Sequence, residues 1–122
     1  MKLDHLGIVV SDCDQSERFY SEALGCIPVS RWQNDEIKAV NLQCDSLLIE
    51  LLEYTNPSQS CTSPGVINHL AFHVDDLADT IERLSKLGAV FENVAPKTLS
   101  SHKRIIFLHG PNGERIELVE EK

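Results

Sequence analysis

The chain repeats itself. Asp4-His5-Leu6-Gly7 returns as Asn68-His69-Leu70-Ala71, the second histidine 64 residues after the first. Gly88 follows Gly25 by 63 residues, and Glu117 follows Glu50 by 67. Landmarks kept in order at a nearly constant offset mark two copies of one supersecondary unit. A half of about 60 residues has a marginal core by itself, so such units are expected to pack against an equivalent one.

The pattern inside each half is the same. In the first, Lys2–Val10 reads as a strand with Leu6, Ile8 and Val10 on one face and His5, Gly7 and Val9 on the other. Ser11, Asp12 and Asp14 are N-cap candidates for a helix over about Gln15–Leu24, striped by Phe19/Ala23 and Tyr20/Leu24 and ended by Gly25. Strands follow at Cys26–Gln33, Ile37–Cys44 and Ser46–Tyr54, with turns at Asn34-Asp35 and Cys44-Asp45-Ser46. In the second half, Val66–Val74 is a strand and Asp75-Asp76 caps a helix. That helix is striped by Leu77, Ile81, Leu84 and Leu87 and ended by Gly88. Strands are expected at Ala89–Val94, Lys103–Leu108 and Arg115–Glu120, the last two joined by a hairpin turn built from Gly110, Pro111, Asn112 and Gly113. The expectation is one α+β domain over 1–122. It comprises a β-α-β-β-β module over about 1–55, a polar Pro-containing linker over about 56–65, and a second such module over about 66–122.

The duplicated polar residues carry the chemistry. His5, Glu50, His69 and Glu117 each sit inside an apolar, β-prone run (LDHLGIVV, LLIELLEY, INHLAFHV, RIELVE). A carboxylate mid-strand among Ile, Leu and Val has to be exposed, paired or bound to a cation, because burying it bare is costly. Two imidazoles and two carboxylates form a ligand set suited to a divalent transition metal. Duplicating one His and one Glu and then facing the copies creates a four-ligand site in one step.

Composition excludes other classes. The formal charge is −8, which disfavours nonspecific nucleic-acid binding. No apolar stretch is long enough to span a bilayer, and Asp4 and His5 interrupt any signal-peptide pattern. Cys13, Cys26, Cys44 and Cys61 are scattered without a CxxC pair, so they read as free thiols in a cytoplasmic protein, with no assigned chemistry.

The motifs LDHLGIVVSD with FYSEALG, LIELLE, NHLAFHVDD and GPNGERIELVE together make the chain resemble the vicinal oxygen chelate superfamily over essentially its whole length. This superfamily includes glyoxalase I, methylmalonyl-CoA epimerase, extradiol dioxygenases and the fosfomycin- and bleomycin-resistance proteins. The resemblance implies paired βαβββ modules forming an open, barrel-like cup, with His5, Glu50, His69 and Glu117 as metal ligands; the ligand type suits nickel, cobalt or zinc, and resemblance to short bacterial glyoxalases implies nickel or cobalt. For a glyoxalase I-like lyase it implies isomerisation of a 2-oxoaldehyde–thiol hemithioacetal through a metal-stabilised enediolate, with Glu117 or Glu50 as the base. Two positions depart from that enzyme: Val9 stands where it usually places Arg, and Tyr54 where it tends to place Asn. Racemisation of a 2-substituted acyl-CoA, as in the epimerase, and metal-free ligand binding, as in bleomycin resistance, remain open. About ten flexible residues between the modules span at most ~35 Å. Compact glyoxalases with short linkers pair modules from two chains, so a symmetric homodimer with interfacial sites is expected.

His73 shares parity with His69, and Tyr54 and Trp32 are aromatic strand residues. These three are the expected substrate contacts, weighed against plain packing. His102-Lys103-Arg104 reads as a solvated edge, and His109 beside the turn as exposed.

Overall fold

A computed structural model describes residues 4–56, 67 and 69–122. The chain divides into two compact units, Met1–Thr62 and Ser63–Lys122.

The first unit runs β1 (His5–Val9), α1 (Cys13–Arg18), β2 (Ile27–Gln33), β3 (Ile37–Cys44) and β4 (Leu47–Tyr54). Its sheet has the order β1-β4-β3-β2, with β1 parallel to β4 and the rest antiparallel. Strand alternation makes β4 two-sided: Ile49 and Leu51 are fully buried, and Glu50 points to the opposite face. Asp12 caps α1, its carboxylate accepting from the Gln15 backbone N–H at 3.1 Å. The helix expected to run to Leu24 changes character at Phe19. Residues Phe19–Ala23 form a π-helical turn, and Ser21 Oγ donates to the Glu17 carbonyl at 2.7 Å. Tyr20 and Ala23 are buried as expected, and Gly25 ends the segment at φ +74°.

The second unit runs β5 (Leu70–His73), α2 (Leu77–Lys86), β6 (Val90–Phe91), β7 (Lys97–Ser100), β8 (Lys103–His109) and β9 (Arg115–Glu121). Its sheet has the order β5-β9-β8-β6, β7 also pairing with β8, and β5 runs parallel to β9. The strand expected over Ala89–Val94 is two residues long, and β7 was not anticipated. Both pair with β8, Phe91 opposite Leu108 and Lys97 opposite Ile105. They are one edge strand interrupted ahead of Pro96, which has no N–H for a ladder. The corresponding strand β2 has its own register shift at Pro28/Ser30.

Asp76 caps α2 as expected, and Leu77 and Leu84 are fully buried. Leu87 leaves the expected stripe: it is the C-cap residue, where the chain turns into Gly88 (φ +87°), and it is 52% exposed. The β8–β9 hairpin is present, and its loop, Gly110–Glu114, is the expected Gly110–Gly113 turn extended by one residue. His109 still pairs with Arg115, and Gly113 at φ +79° takes the left-handed position.

The repeat extends to a device not read from sequence. Glu53 Oε1 accepts the backbone N–H of Cys13 at 2.7 Å, and Glu120 Oε2 accepts that of Leu77 at 2.8 Å. In each unit the first helical N–H is held by the carboxylate three residues beyond the duplicated glutamate, satisfying a donor that a helix leaves orphaned. The expectation of four free thiols is corrected: Cys26 and Cys44 form a disulfide, Cα–Cα 4.5 Å, because β2–β3 pairing sets Ile27 opposite Gln43 and brings their neighbours together. Cys13 is free and buried; Cys61, the linker, and parts of the first and fifth expected strands lie outside the described residues.

Candidate functional site

In the first unit the parallel ladder sets His5 opposite Leu48 and Gly7 opposite Glu50, so His5 and Glu50 share a face. His5 Nε2 lies 4.0 Å from Glu50 Oε1. The other ring nitrogen, Nδ1, is 2.7 Å from Asp4 Oδ2, an arrangement that fixes ring orientation as carboxylates do behind metal-binding histidines. That hydrogen bond raises the His5 pKa above its ordinary 6.5; partial desolvation opposes it, and the charges of Asp4 and Glu50 add to it. Trp32 on β2 reaches across the sheet: its indole N–H donates to Glu50 Oε2 at 3.2 Å. Glu50 is therefore held by one oxygen and presents the other to His5.

The second unit builds the same pair from the same elements. His69 Nε2 lies 3.1 Å from Glu117 Oε2, with Ala71 opposite Glu117 in the parallel ladder. Phe107, directly across from Glu117 on β8, packs its ring edge-on against His69 at 5.5 Å between centroids. The Arg115 guanidinium sits over the Phe107 ring, 3.7 Å from its centroid, a cation–π contact. Glu92 grips Arg115 in a two-pronged pair, Nε–Oε1 at 2.7 Å and Nη2–Oε2 at 3.0 Å. Arg115, with His109 Nε2 3.0 Å away, holds the Glu92 carboxyl below its ordinary 4.5.

Two ligands bound side by side at about 2.1 Å lie roughly 3.0–3.4 Å apart, for right-angled to tetrahedral geometry. The His69–Glu117 pair is already at that separation, and His5–Glu50 needs to close by less than about 1 Å. Nitrogen and oxygen donors so placed fit a divalent ion. Each unit thus supplies a two-donor pair, and among the described residues no group of three or more His, Cys, Asp or Glu is placed to hold a metal ion.

The remaining expected contacts are placed as follows. His73 stands opposite Val119, on the Glu117 face by alternation, mostly exposed and 3.9 Å from Asp75. Tyr54 is on the Glu50 face, but four residues along a strand is about 13 Å. Trp32 touches Glu50 directly. His109 is half-buried against Glu92 rather than exposed, and Arg104 bonds Glu120 instead of standing at a solvated edge. Asp4, Phe107, Glu92 and Arg115 were missed; parity could have placed Phe107 and Arg115 beside Glu117, but the Glu92 contact crosses 23 residues.

Residues 2–118 match the Glyoxalase/Bleomycin resistance protein/Dioxygenase superfamily. The uncharacterized protein YwbC of Bacillus subtilis is 31% identical over 98% of this chain and 97% of its own length. A lactoylglutathione lyase of Salmonella typhimurium is 28% identical over 100% of this chain and 94% of its own. The fosfomycin resistance protein FosX of Listeria monocytogenes superposes with a TM-score of 0.81 at 19% identity, covering 99% of this chain and 91% of that one. Another structure of that protein is complexed with Mn(II) and sulfate.

Proposed function

Since the chain belongs to the Glyoxalase/Bleomycin resistance protein/Dioxygenase superfamily, we propose that it is a metal-dependent lyase of the glyoxalase I type, acting on the hemithioacetal of a 2-oxoaldehyde and a thiol. The observation that carries the reading is the duplicated His–Glu pair, with nitrogen and oxygen donors at or near the spacing of neighbouring metal ligands in both units. The likeness to a lactoylglutathione lyase and the Mn(II) of FosX support it. In this reading His5, Glu50, His69 and Glu117 converge on one ion. Nickel, cobalt and zinc suit two imidazoles with two carboxylates.

When bound, the ion supplies positive charge against which the substrate oxygens can accumulate negative charge. Glu117 or Glu50 takes the proton from the hemithioacetal carbon and returns it to the adjacent carbon, so that the aldehyde–thiol adduct becomes a 2-hydroxy thioester with no net redox change. The short linker favours a symmetric homodimer in which each site draws one unit from either chain. A monomeric mass by light scattering would remove that part of the reading.

A second reading is favoured by one observation. Val9, opposite Leu52 on the Glu50 face, is aliphatic where a thiol-tripeptide carboxylate would call for a cation. The same carboxylate could instead exchange the α-proton of a 2-substituted acyl thioester. The test is metal-reconstituted protein given methylglyoxal and glutathione, followed at the thioester absorbance, with Glu117→Gln and Glu50→Gln as controls. Thioester formation lost in both variants supports the lyase. No thioester, together with deuterium exchange into methylmalonyl-CoA, supports the second reading. Inactivity in both with no metal bound overturns both.

A further inference from the structure

We infer that Trp32 is a positioning residue that holds Glu50 as a one-oxygen metal ligand, an inference that rests on the metal reading above. Trp32 is the chain's single tryptophan. It stands on the edge strand β2, opposite Ala39, which is opposite Leu52 on β4, two residues from Glu50. From there its N–H reaches Glu50 Oε2 at 3.2 Å, while Oε1 is the oxygen facing His5. Indole nitrogen is a donor only, so it cannot bind a cation or accept the proton of a neighbouring acid. It occupies Oε2 and restrains rotation of the carboxylate. That disfavours the two-oxygen grip a free carboxylate can adopt and directs Oε1 toward the space shared with His5 Nε2. Hydrogen-bonded partners behind ligating carboxylates typically affect metal affinity by 10–100-fold.

The two units differ at this point. By the same register the position matching Trp32 in the second unit is Lys97, opposite Ile105, which is opposite Val119. Lys97 carries no indole, so the duplication copied the ligand pair without copying this support. Trp32 is 41% exposed and lies outside the buried core, so packing alone does not account for a large aromatic at this place.

A lone tryptophan hydrogen-bonded to a ligand is also a built-in reporter. The experiment titrates the metal-free full-length protein with Zn2+, reading tryptophan emission and, in parallel, heat by calorimetry. It repeats the calorimetry on Trp32→Phe, which keeps a ring and removes the N–H, and on Trp32→Gln, which keeps an N–H donor without adding an imidazole ligand. Circular dichroism checks folding. The expected result is a saturable change in wild-type emission that tracks the calorimetric binding curve. Affinity should fall about tenfold or more in Trp32→Phe and be partly restored in Trp32→Gln. Zn2+ that binds without changing wild-type emission, or that binds Trp32→Phe as tightly as wild type, overturns the inference and leaves the metal reading standing. Equal weakening in both variants overturns it too, by assigning the effect to ring volume. Absence of any Zn2+ binding to the wild type overturns both. If Trp32→Phe fails to fold, the wild-type emission arm decides.

Discussion

Leu84 and Leu87 sit three residues apart at the end of α2, and the structure separates them sharply: Leu84 is 0% exposed and Leu87 52%. Truncating Leu84 to Ala removes three carbons from an apolar contact between helix and sheet. At about 0.8 kcal/mol per buried methylene-sized group the transfer loss is roughly 2.4 kcal/mol. The space left behind adds to it, so the expected total is about 3 kcal/mol, inside the usual range of about 2–5 for a buried leucine. Leu87→Ala forfeits about half the transfer term and opens no enclosed space, so about 1 kcal/mol is expected. With a urea slope near 1.5 kcal/mol/M, the midpoints should fall by about 2 M and about 0.7 M respectively. The assay is urea unfolding of both variants by far-ultraviolet circular dichroism, with slopes compared to confirm a common transition. Equal losses, or a larger loss at Leu87, would refute the placement of α2 and with it the back support of β9, the strand that carries Glu117.

Glu120 gives a pH signature. The Leu77 backbone N–H, with Arg104 beyond it, holds its carboxyl below the ordinary 4.5 despite opposing desolvation. A lowered folded pKa contributes stability that is complete above the unfolded value and is lost as pH falls through the folded one. Glu120→Gln should therefore flatten the decline in stability below about pH 4.5, and an unchanged acid limb would contradict the contact. Burial pushes the Cys13 thiol up to about 11, so it should resist alkylation at pH 8 in native protein and react on unfolding. In the same unfolded, unreduced sample Cys26 and Cys44 should stay unmodified; full labelling of both would contradict the disulfide. Adding Zn2+ at about 100 times its dissociation constant should stabilise the wild type by about 2.7 kcal/mol, read as a raised urea midpoint, and leave a His5→Ala/His69→Ala double variant unmoved.

What the sequence made legible is what alternation and capping encode locally. Glu50 between Ile49 and Leu51, and Glu117 between Ile116 and Leu118, declare their face by parity alone, and the ladders put His5 and His69 on those faces. Asp12, Asp76, Gly25 and Gly88 mark helix ends because their side chains, or lack of them, act within a few residues. The features missed depend on register between strands distant in sequence. The Cys26–Cys44 disulfide follows from how β2 meets β3, and the Trp32–Glu50 and Arg115–Glu92 contacts cross 18 and 23 residues. The interruption ahead of Pro96 was missed for another reason: Ala89–Val94 has the composition of a full strand, and only the path of β8 shows that pairing stops and resumes.

The most direct test is the metal content of protein purified without chelator, measured by elemental analysis. Compared with wild type are two variants, each disabling one unit's pair: His5→Ala/Glu50→Gln and His69→Ala/Glu117→Gln. If the two pairs share an ion, wild type holds roughly one divalent ion per chain and either variant loses nearly all of it, since two remaining ligands bind weakly. Metal retained at the wild-type level in either variant, or none in the wild type, would contradict the shared centre.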